Sequence, residues 1–418
     1  MTSYRSLFHV FGRIGLLSFG GPAAQIALMH RELVETRTWL TEPQFLRALS
    51  FCMLLPGPEA MQLATYAGWK QRGIPGGLIA GLLFVLPGAA VIMGLALAYG
   101  MYGALDWMQA AFLGVKAAVV VIVLEALIKV SRRALKSTRH AIIAVLAFAA
   151  LFLFAVPYPI VILLAGVIGM FGTSGTAPPA DRQLPWKASA QIIGFGALVW
   201  AGPLFVVAAV SGGFLLQIGL FFAKLALVTF GGAYAVLAYM TQTVVTDFGW
   251  VTTAQLMDGL GLAETTPGPL ILATQFIAMI AGYAQGGVGL AIVAGALTLW
   301  VTFVPCFIWI FAGAPLIDWL EGRPKISGAL AGITAAVVGV IANLSLWFAT
   351  HVFFREISAV NLGPLRTILP ELGTLQILPV TIAALAAILL LVRHWGIVWV
   401  LVICSGSSLL VLTLGLPL

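Results

Sequence analysis

Two short motifs carry the residue types from which an anion site is made: Pro56-Gly57-Pro58 followed by Glu59, and Pro267-Gly268-Pro269 preceded by Glu264. Each lies inside an apolar run. Proline removes a backbone donor and disfavours helix at the residue before it, so neither run is one regular helix. Gly57 can cap the chain with Pro58 at the first helical position. The N–H groups of Glu59 and Ala60 then sit at the positive end of a half-helix, where an anion fits. Gly20-Gly21 and Gly231-Gly232 add backbone that a ligand can approach with no side chain to hold it away. A carboxylate beside such a site repels an anion unless it is protonated or paired. Glu59 and Glu264 are therefore candidates to exchange a proton as the anion enters or leaves, and each also suits a plain helix N-terminal stabiliser.

Three of the cations within apolar runs are candidates for a binding role. Lys116 is near the middle of residues 107–128, where an isolated charge costs at least ~2.5 kcal/mol, to be offset by an anionic substrate or by a carboxylate such as Glu59. Glu125, nine residues on and on the opposite helical face, pairs more simply with Lys129 one turn away. Arg13 and Lys224 occupy matching positions and are candidates for a shared binding role, although long cations near span ends also snorkel to the interface. Gln62 and Gln275 offer neutral hydrogen bonds, to a ligand or between helices. The five histidines, His9, His30, His140, His351 and His394, fall at or near the ends of runs and have no metal-ligand spacing. No nucleophile signature is present, so neither enzymatic activity, a metal nor a cofactor is expected. Cys52, Cys306 and Cys404 are far apart in apolar sequence and read as packing residues.

The elements that position these residues belong in a lipid bilayer. The chain of 418 residues is 61% apolar and only 8% charged, with a mean hydropathy of +1.08, outside the composition of soluble domains. Apolar runs fall near 8–29, 45–67, 74–102, 107–128 and 140–171, the last interrupted at Pro157-Tyr158-Pro159. A Gly-, Thr- and Pro-rich linker at 172–188 follows, then runs near 189–210, 213–240, 254–280, 286–313, 326–350, 374–392 and 395–416. That makes roughly a dozen segments, an all-α polytopic membrane protein. The net charge of +7 divides unevenly, +8 over residues 1–209 and −1 over 210–418. It speaks to topology and not to nucleic-acid binding.

The chain also repeats itself. A shift of 211 residues lays Phe19-Gly20-Gly21 on Phe230-Gly231-Gly232, Trp39 on Trp250, Gln44 on Gln255 and the first Pro-Gly-Pro on the second. With seven extra residues in the second copy, Pro87 falls on Pro305 and Ala117-Ala118-Val119-Val120 on Ala335-Ala336-Val337-Val338. The repeats are 5–171 and 189–416, the second with one extra leading segment. Loop charges do not match between them. Arg31, Arg37, Lys70, Arg72 and the cluster Lys129, Arg132, Arg133, Lys136 and Arg139 have almost no basic counterparts, whereas Asp106 faces Arg323 and Lys325 in the alignment. Because cytoplasmic loops collect Lys and Arg, the expectation is two homologous inverted-topology repeats with broken helices.

The motifs Ser18-Phe19-Gly20-Gly21-Pro22, Met29 through Trp39, Leu55-Pro56-Gly57-Pro58-Glu59 with Gln62, Phe84 to Gly88, Gly114 to Val119, and Glu264 to Pro269 resemble the chromate ion transporter family over nearly the whole chain. Two positions depart from its pattern, Ala233 where a proline is expected and Gln25 where many relatives carry histidine. The resemblance implies a two-half secondary transporter in the bacterial inner membrane that exports chromate, with proton antiport as the family's usual description. It leaves room for sulfate as a competitor and for a homodimer. A sulfate or other oxyanion permease of the same fold is the alternative. Membrane potential alone favours efflux of a dianion, by roughly 2.3 kcal/mol per charge per 100 mV.

Overall fold

Helices follow the apolar runs and stop at or beside prolines and glycines that interrupt them. A computed structural model of the chain describes residues 2–19, 21–171, 186–210, 213–230, 233–317, 323–363 and 365–415. Gly20, Gly231, Gly232 and most of the expected linker lie outside these residues.

Helix α1 (Tyr4–Leu17) is followed by α2 (Gly21–His30) and a π-helical turn, Arg31–Thr36. The run 8–29, read from sequence as continuous, is thus broken after Leu17. Ser18 turns its hydroxyl back to the Ile14 carbonyl at 2.6 Å, and Gly21 opens α2 at a φ of +78°. Helix α3 (Glu42–Leu54) starts with a capping box formed by Thr41 and Gln44, and Leu55 ends it in extended conformation. Helix α4 (Glu59–Tyr102) begins just beyond Pro56-Gly57-Pro58 and kinks at Arg72–Gly73. Then come α5 (Asp106–Ala134), α6 (Thr138–Phe154) and α7 (Tyr158–Met170), the last two separated by the prolines that divide their run.

The second half begins with α8 (Trp186–Val210) and α9 (Gly213–Val228). Helix α10 (Ala233–Thr241) and a second π-helical turn, Gln242–Asp247, follow. The run 213–240 is therefore also broken, where Thr229 donates to the Leu225 carbonyl at 2.6 Å. Helix α11 (Thr253–Thr265) and α12 (Ala273–Gly313) flank the second Pro-Gly-Pro, and α12 kinks at Gly286–Gly287. After α13 (Pro324–Phe353) the chain forms a hairpin of β1 (Ile357–Leu362) and β2 (Leu365–Pro370), then α14 (Ile377–Ala387) and α15 (Ile397–Thr413). The hairpin pairs antiparallel, Ile357 opposite Pro370. It occupies the stretch between two apolar runs to which the sequence reading assigned no element.

Five helical stretches among the described residues are long and apolar enough to cross a membrane: Glu59–Tyr102, Asp106–Ala134, Trp186–Val210, Leu270–Leu316 and Pro324–Phe353. The chain is a multi-pass, predominantly helical membrane protein. Helix α3 has 13 residues, about 20 Å at 1.5 Å per residue, short of a hydrocarbon core of about 30 Å.

Identical local structures stand 211 residues apart. The two π-helical turns coincide under that shift. Trp39 donates its backbone N–H to Leu33 as Trp250 does to Val244, at 2.8 and 2.9 Å. The helices pack into two units. One comprises Met1–Gly100, Gly175–Ala233 and Leu262–Pro324. In it α12 lies along α8, tied by Ser189 Oγ to the Ala312 carbonyl and Trp200 Nε1 to that of Val301. The other comprises Met101–Ser174, Tyr234–Gly261 and Lys325–Leu418, and in it α5 packs against α14 and α15.

Candidate functional site

Within the first unit the interruptions are pinned to one another in pairs. The N–H of Gly57 donates to the Thr229 carbonyl at 2.8 Å, and the N–H of Gly268 donates to the Ser18 carbonyl at 2.9 Å. Each proline-glycine break thus ends on the residue where another helix stops. Gln25 strengthens one crossing, its Nε2 donating to the carbonyls of Gly268 (2.7 Å) and Ser18 (3.2 Å). Gln62 braces the other by donating Nε2 to the Pro56 carbonyl at 2.8 Å. Gln275 donates to the Ala89 carbonyl at 3.1 Å.

The crossings require glycine. Gly57 has a φ of +121° and Gly268 of +92°, backbone that other residues rarely adopt. A Cβ on Gly57 would stand 2.8 Å from Cys306 Sγ and 2.9 Å from Gln62 Nε2. Pro56, Gly57, Pro58, Pro267, Gly268 and Pro269 are all buried. Glu59, the first residue of α4, is half-buried, and Glu264 is buried near the end of α11. Gly21, one residue past the described part of its break, is partly exposed.

Two buried amides here present an oxygen with no hydrogen-bond partner among the described residues, Gln62 Oε1 and Gln275 Oε1. Buried polar atoms are rarely left so, because each costs the desolvation it underwent. The nitrogen of each amide is fixed by the carbonyl it donates to, Pro56 for Gln62 and Ala89 for Gln275, so the unused capacity of both is that of an acceptor.

Lys116 belongs to the second unit, and so does its carboxylate. Its Nζ lies 3.9 Å from Asp258 Oδ1, with side-chain exposures of 15% and 1%. Close packing of α11 on α5 makes the meeting possible: a Cβ on Gly261 would fall 2.0 Å from Val115 Cγ1. Asp258 was not singled out from sequence, although an acid inside the apolar run 254–280 was a signal that something must face it. Glu125 does take Lys129, at 2.7 Å. The structure therefore gives Lys116 a partner other than Glu59.

Arg13 and Lys224 are both exposed, on α1 and α9. Arg13 reaches Glu32 at 3.5 Å, and Glu32, with a side chain only 6% exposed, also binds Arg37 at 2.5 Å. This buried carboxylate in the π-helical turn ties Arg13 into the protein, a contact the sequence reading did not anticipate.

At the end of α2, His30 bridges two carboxylates, with Nε2 2.6 Å from Glu42 Oε2 and Nδ1 3.1 Å from Glu35 Oε1. The hydrogen bond to Glu42 raises its pKa above the ordinary value; partial desolvation opposes this, and the charges of Glu42 and Glu35 add to it. A raised pKa stabilises the folded loop below about pH 6.5, and the stabilisation is lost as pH rises through the folded-state value. Hydrogen exchange over residues 30–42 is expected to speed up across that window in the wild type and to stay flat in His30→Gln. An identical pH response in both would remove the bridge from the account.

Comparison with known proteins adds the following. A family model described as chromate transporter matches residues 5–170 and 216–409. The chain is 34% identical over 340 residues to a chromate transport protein of Cupriavidus metallidurans, covering 81% of each. It is 33% identical over 343 residues to a probable chromate transport protein of Synechococcus elongatus, 82% of this chain and 83% of the relative. It is 32% identical over 377 residues to a chromate transport protein of Pseudomonas aeruginosa, 86% and 84%. No solved structure matches.

Proposed function

This chain belongs to the chromate transporter family, and from that premise we propose that it exports chromate from the cytoplasm across the bacterial inner membrane. The dianion passes between the broken segments of the first unit, where Pro56 to Glu59 with Gln62, and Pro267 to Pro269, meet the breaks that follow Ser18 and Thr229. Gly21, which opens α2 just after the first of these breaks, serves as a substrate-binding residue; its partners Gly20, Gly231 and Gly232 lie outside the described residues.

The observation that carries this reading is the reciprocity of the two crossings. Gly57 donates to Thr229, and Gly268, its counterpart 211 residues on, donates to Ser18, the counterpart of Thr229. Two copies of one unit facing each other across a two-fold axis make such a contact pattern. It supports halves of opposite topology, 5–171 and 189–416, with the substrate at their broken segments, as inverted-repeat transporters are built. Short α3 fits a segment that enters and leaves on the same side.

Membrane potential drives efflux in this scheme, since a dianion leaving an inside-negative cell gains roughly 2.3 kcal/mol per charge per 100 mV. Proton antiport adds a second force, with Glu59 and Glu264 as the exchanging carboxyls. Arg13 and Lys224 supply positive charge within this unit, and Lys116, paired with Asp258 in the second unit, is a further candidate to bind the anion.

Labelled chromate uptake into inverted membrane vesicles tests the scheme. Wild-type vesicles with a lumen-positive potential are expected to accumulate chromate, to lose it when an ionophore collapses the potential, and to be slowed by excess sulfate. Uptake by Glu59→Gln is expected to lose its pH dependence. Vesicles that take up no chromate would sink the export reading, and a normal pH profile in Glu59→Gln would remove that carboxyl from coupling. Sulfate flux without chromate flux would establish a sulfate permease instead.

A further inference from the structure

Hydroxyls in the helices of this protein generally turn back to the carbonyl one turn earlier. Ser18, Thr65, Thr229, Thr334 and Ser345 all do so, at 2.6–3.0 Å. Such back-bonding is the ordinary way a Ser or Thr satisfies itself where there is no water. Thr298 and Thr302 of α12 do not. Their Oγ1 atoms are buried and without hydrogen-bond partner among the described residues, in side chains at 0% and 2% exposure.

Their placement gives that exception a meaning. Gly295, Thr298, Thr302 and Cys306 are spaced three, four and four residues apart, one face of α12. At one end of this line Cys306 Sγ stands against Gly57 and beside Gln62. At the other, Gly295 packs against Gln275, whose Cγ lies 3.5 Å from where a glycine Cβ would be. The line runs about 16 Å along the helix at 1.5 Å per residue. It joins Gln62 and Gln275, whose amide oxygens are also buried without partners among the described residues. Four neutral polar groups, each more than nine-tenths buried, thus border one strip inside the first unit with unused hydrogen-bonding capacity.

We infer that this strip is the part of the transport path in which the oxyanion is held by neutral hydrogen bonds, with Thr298 and Thr302 donating O–H. The inference rests on the proposed function and adds to it the specificity-determining residues. A fully deprotonated tetrahedral dianion only accepts hydrogen bonds, so hydroxyls with an O–H to give suit its oxygens. Neutral donors also hold it without the deep well that a buried cation would create, which a translocation path requires if the ion is to leave.

The test uses two isosteric variants, Thr298→Val and Thr302→Val, with Thr302→Ser as the conservative control. Because the hydroxyls have no hydrogen-bond partner among the described residues, their removal is expected to leave insertion and the unfolding midpoint of the ligand-free protein unchanged or improved. The rise in midpoint produced by sodium chromate, measured on purified protein against sodium chloride at equal ionic strength, is expected to fall sharply in both valine variants and to persist in Thr302→Ser. In inverted vesicles KM for chromate is expected to rise about tenfold or more, the loss of one hydrogen bond to a charged ligand. A valine variant that fails to insert would show that the hydroxyl serves the fold, and unchanged chromate stabilisation in both would show that the anion does not visit them; either result overturns the inference. The midpoint readout does not depend on flux. Wild-type protein stabilised by chromate but moving none would therefore defeat the export reading alone, and wild-type protein not stabilised at all would defeat this one.

Discussion

Gly57→Ala is expected to insert into the membrane and to lose chromate transport by about tenfold or more. Two costs combine. A non-glycine residue in a sparsely allowed backbone region costs about 1–3 kcal/mol, and at φ +121° alanine has no relaxed alternative while the Gly57 N–H stays on Thr229. The added Cβ also meets Cys306 Sγ at 2.8 Å and Gln62 Nε2 at 2.9 Å, an overpacking of the kind that costs ~1–3 kcal/mol in a filled interior. Relief of the strain moves the break off Thr229 and disturbs the amide that braces Pro56. Cys306→Ala added to Gly57→Ala removes one contact but not the backbone strain, so partial recovery is expected. Gly268→Ala is expected to be milder, because its Cβ would find Leu272 Cδ1 at 3.3 Å and the Phe84 carbonyl at 3.4 Å. Uptake per unit of inserted protein is the measurement. A Gly57→Ala protein that transports at the wild-type rate would remove the crossing from the mechanism.

The second large effect concerns Lys116. Truncation to alanine leaves Asp258, 1% exposed, without its cation, and breaking a buried ion pair from one side costs ~3–5 kcal/mol. Lys116→Ala is therefore expected to lower both the unfolding midpoint and the amount of inserted protein, as is Asp258→Ala. The double variant, with neither charge left behind, is expected to recover most of that loss. Transport is expected to stay low in the double variant. At 3.9 Å the pairing is electrostatic and longer than a hydrogen bond, so the three ammonium donors are not consumed by Asp258 and, under the proposed scheme, are available to an oxyanion. Recovery of stability together with full transport would make the pair structural and take Lys116 out of the substrate path.

Much of this was legible along the chain. Proline at 56, 58, 267 and 269 dictated where two helices stop, because a missing N–H acts locally and needs no partner to take effect. Spacing alone put Glu125 one turn from Lys129, and composition alone put the chain in a bilayer. The repeat was legible because whole motifs recur at one shift. Family membership was likewise readable from Ser18 to Pro22 and from Leu55 to Gln62, motifs dense enough in glycine and proline to be distinctive.

What sequence left open are the meetings of residues far apart in the chain. At the helix ends Ser18 and Thr229 the hydroxyls fold back on their own helices, a choice that Thr298 and Thr302 decline although they are the same residue types. Gly57 finding Thr229, Lys116 finding Asp258 and Glu32 finding Arg13 and Arg37 depend on how helices pack. A buried charge announces from sequence only that some partner exists. Which partner it is depends on which backbones approach closely enough, and that is set by small residues such as Gly261 against Val115, a fact of three-dimensional packing that no local pattern carries.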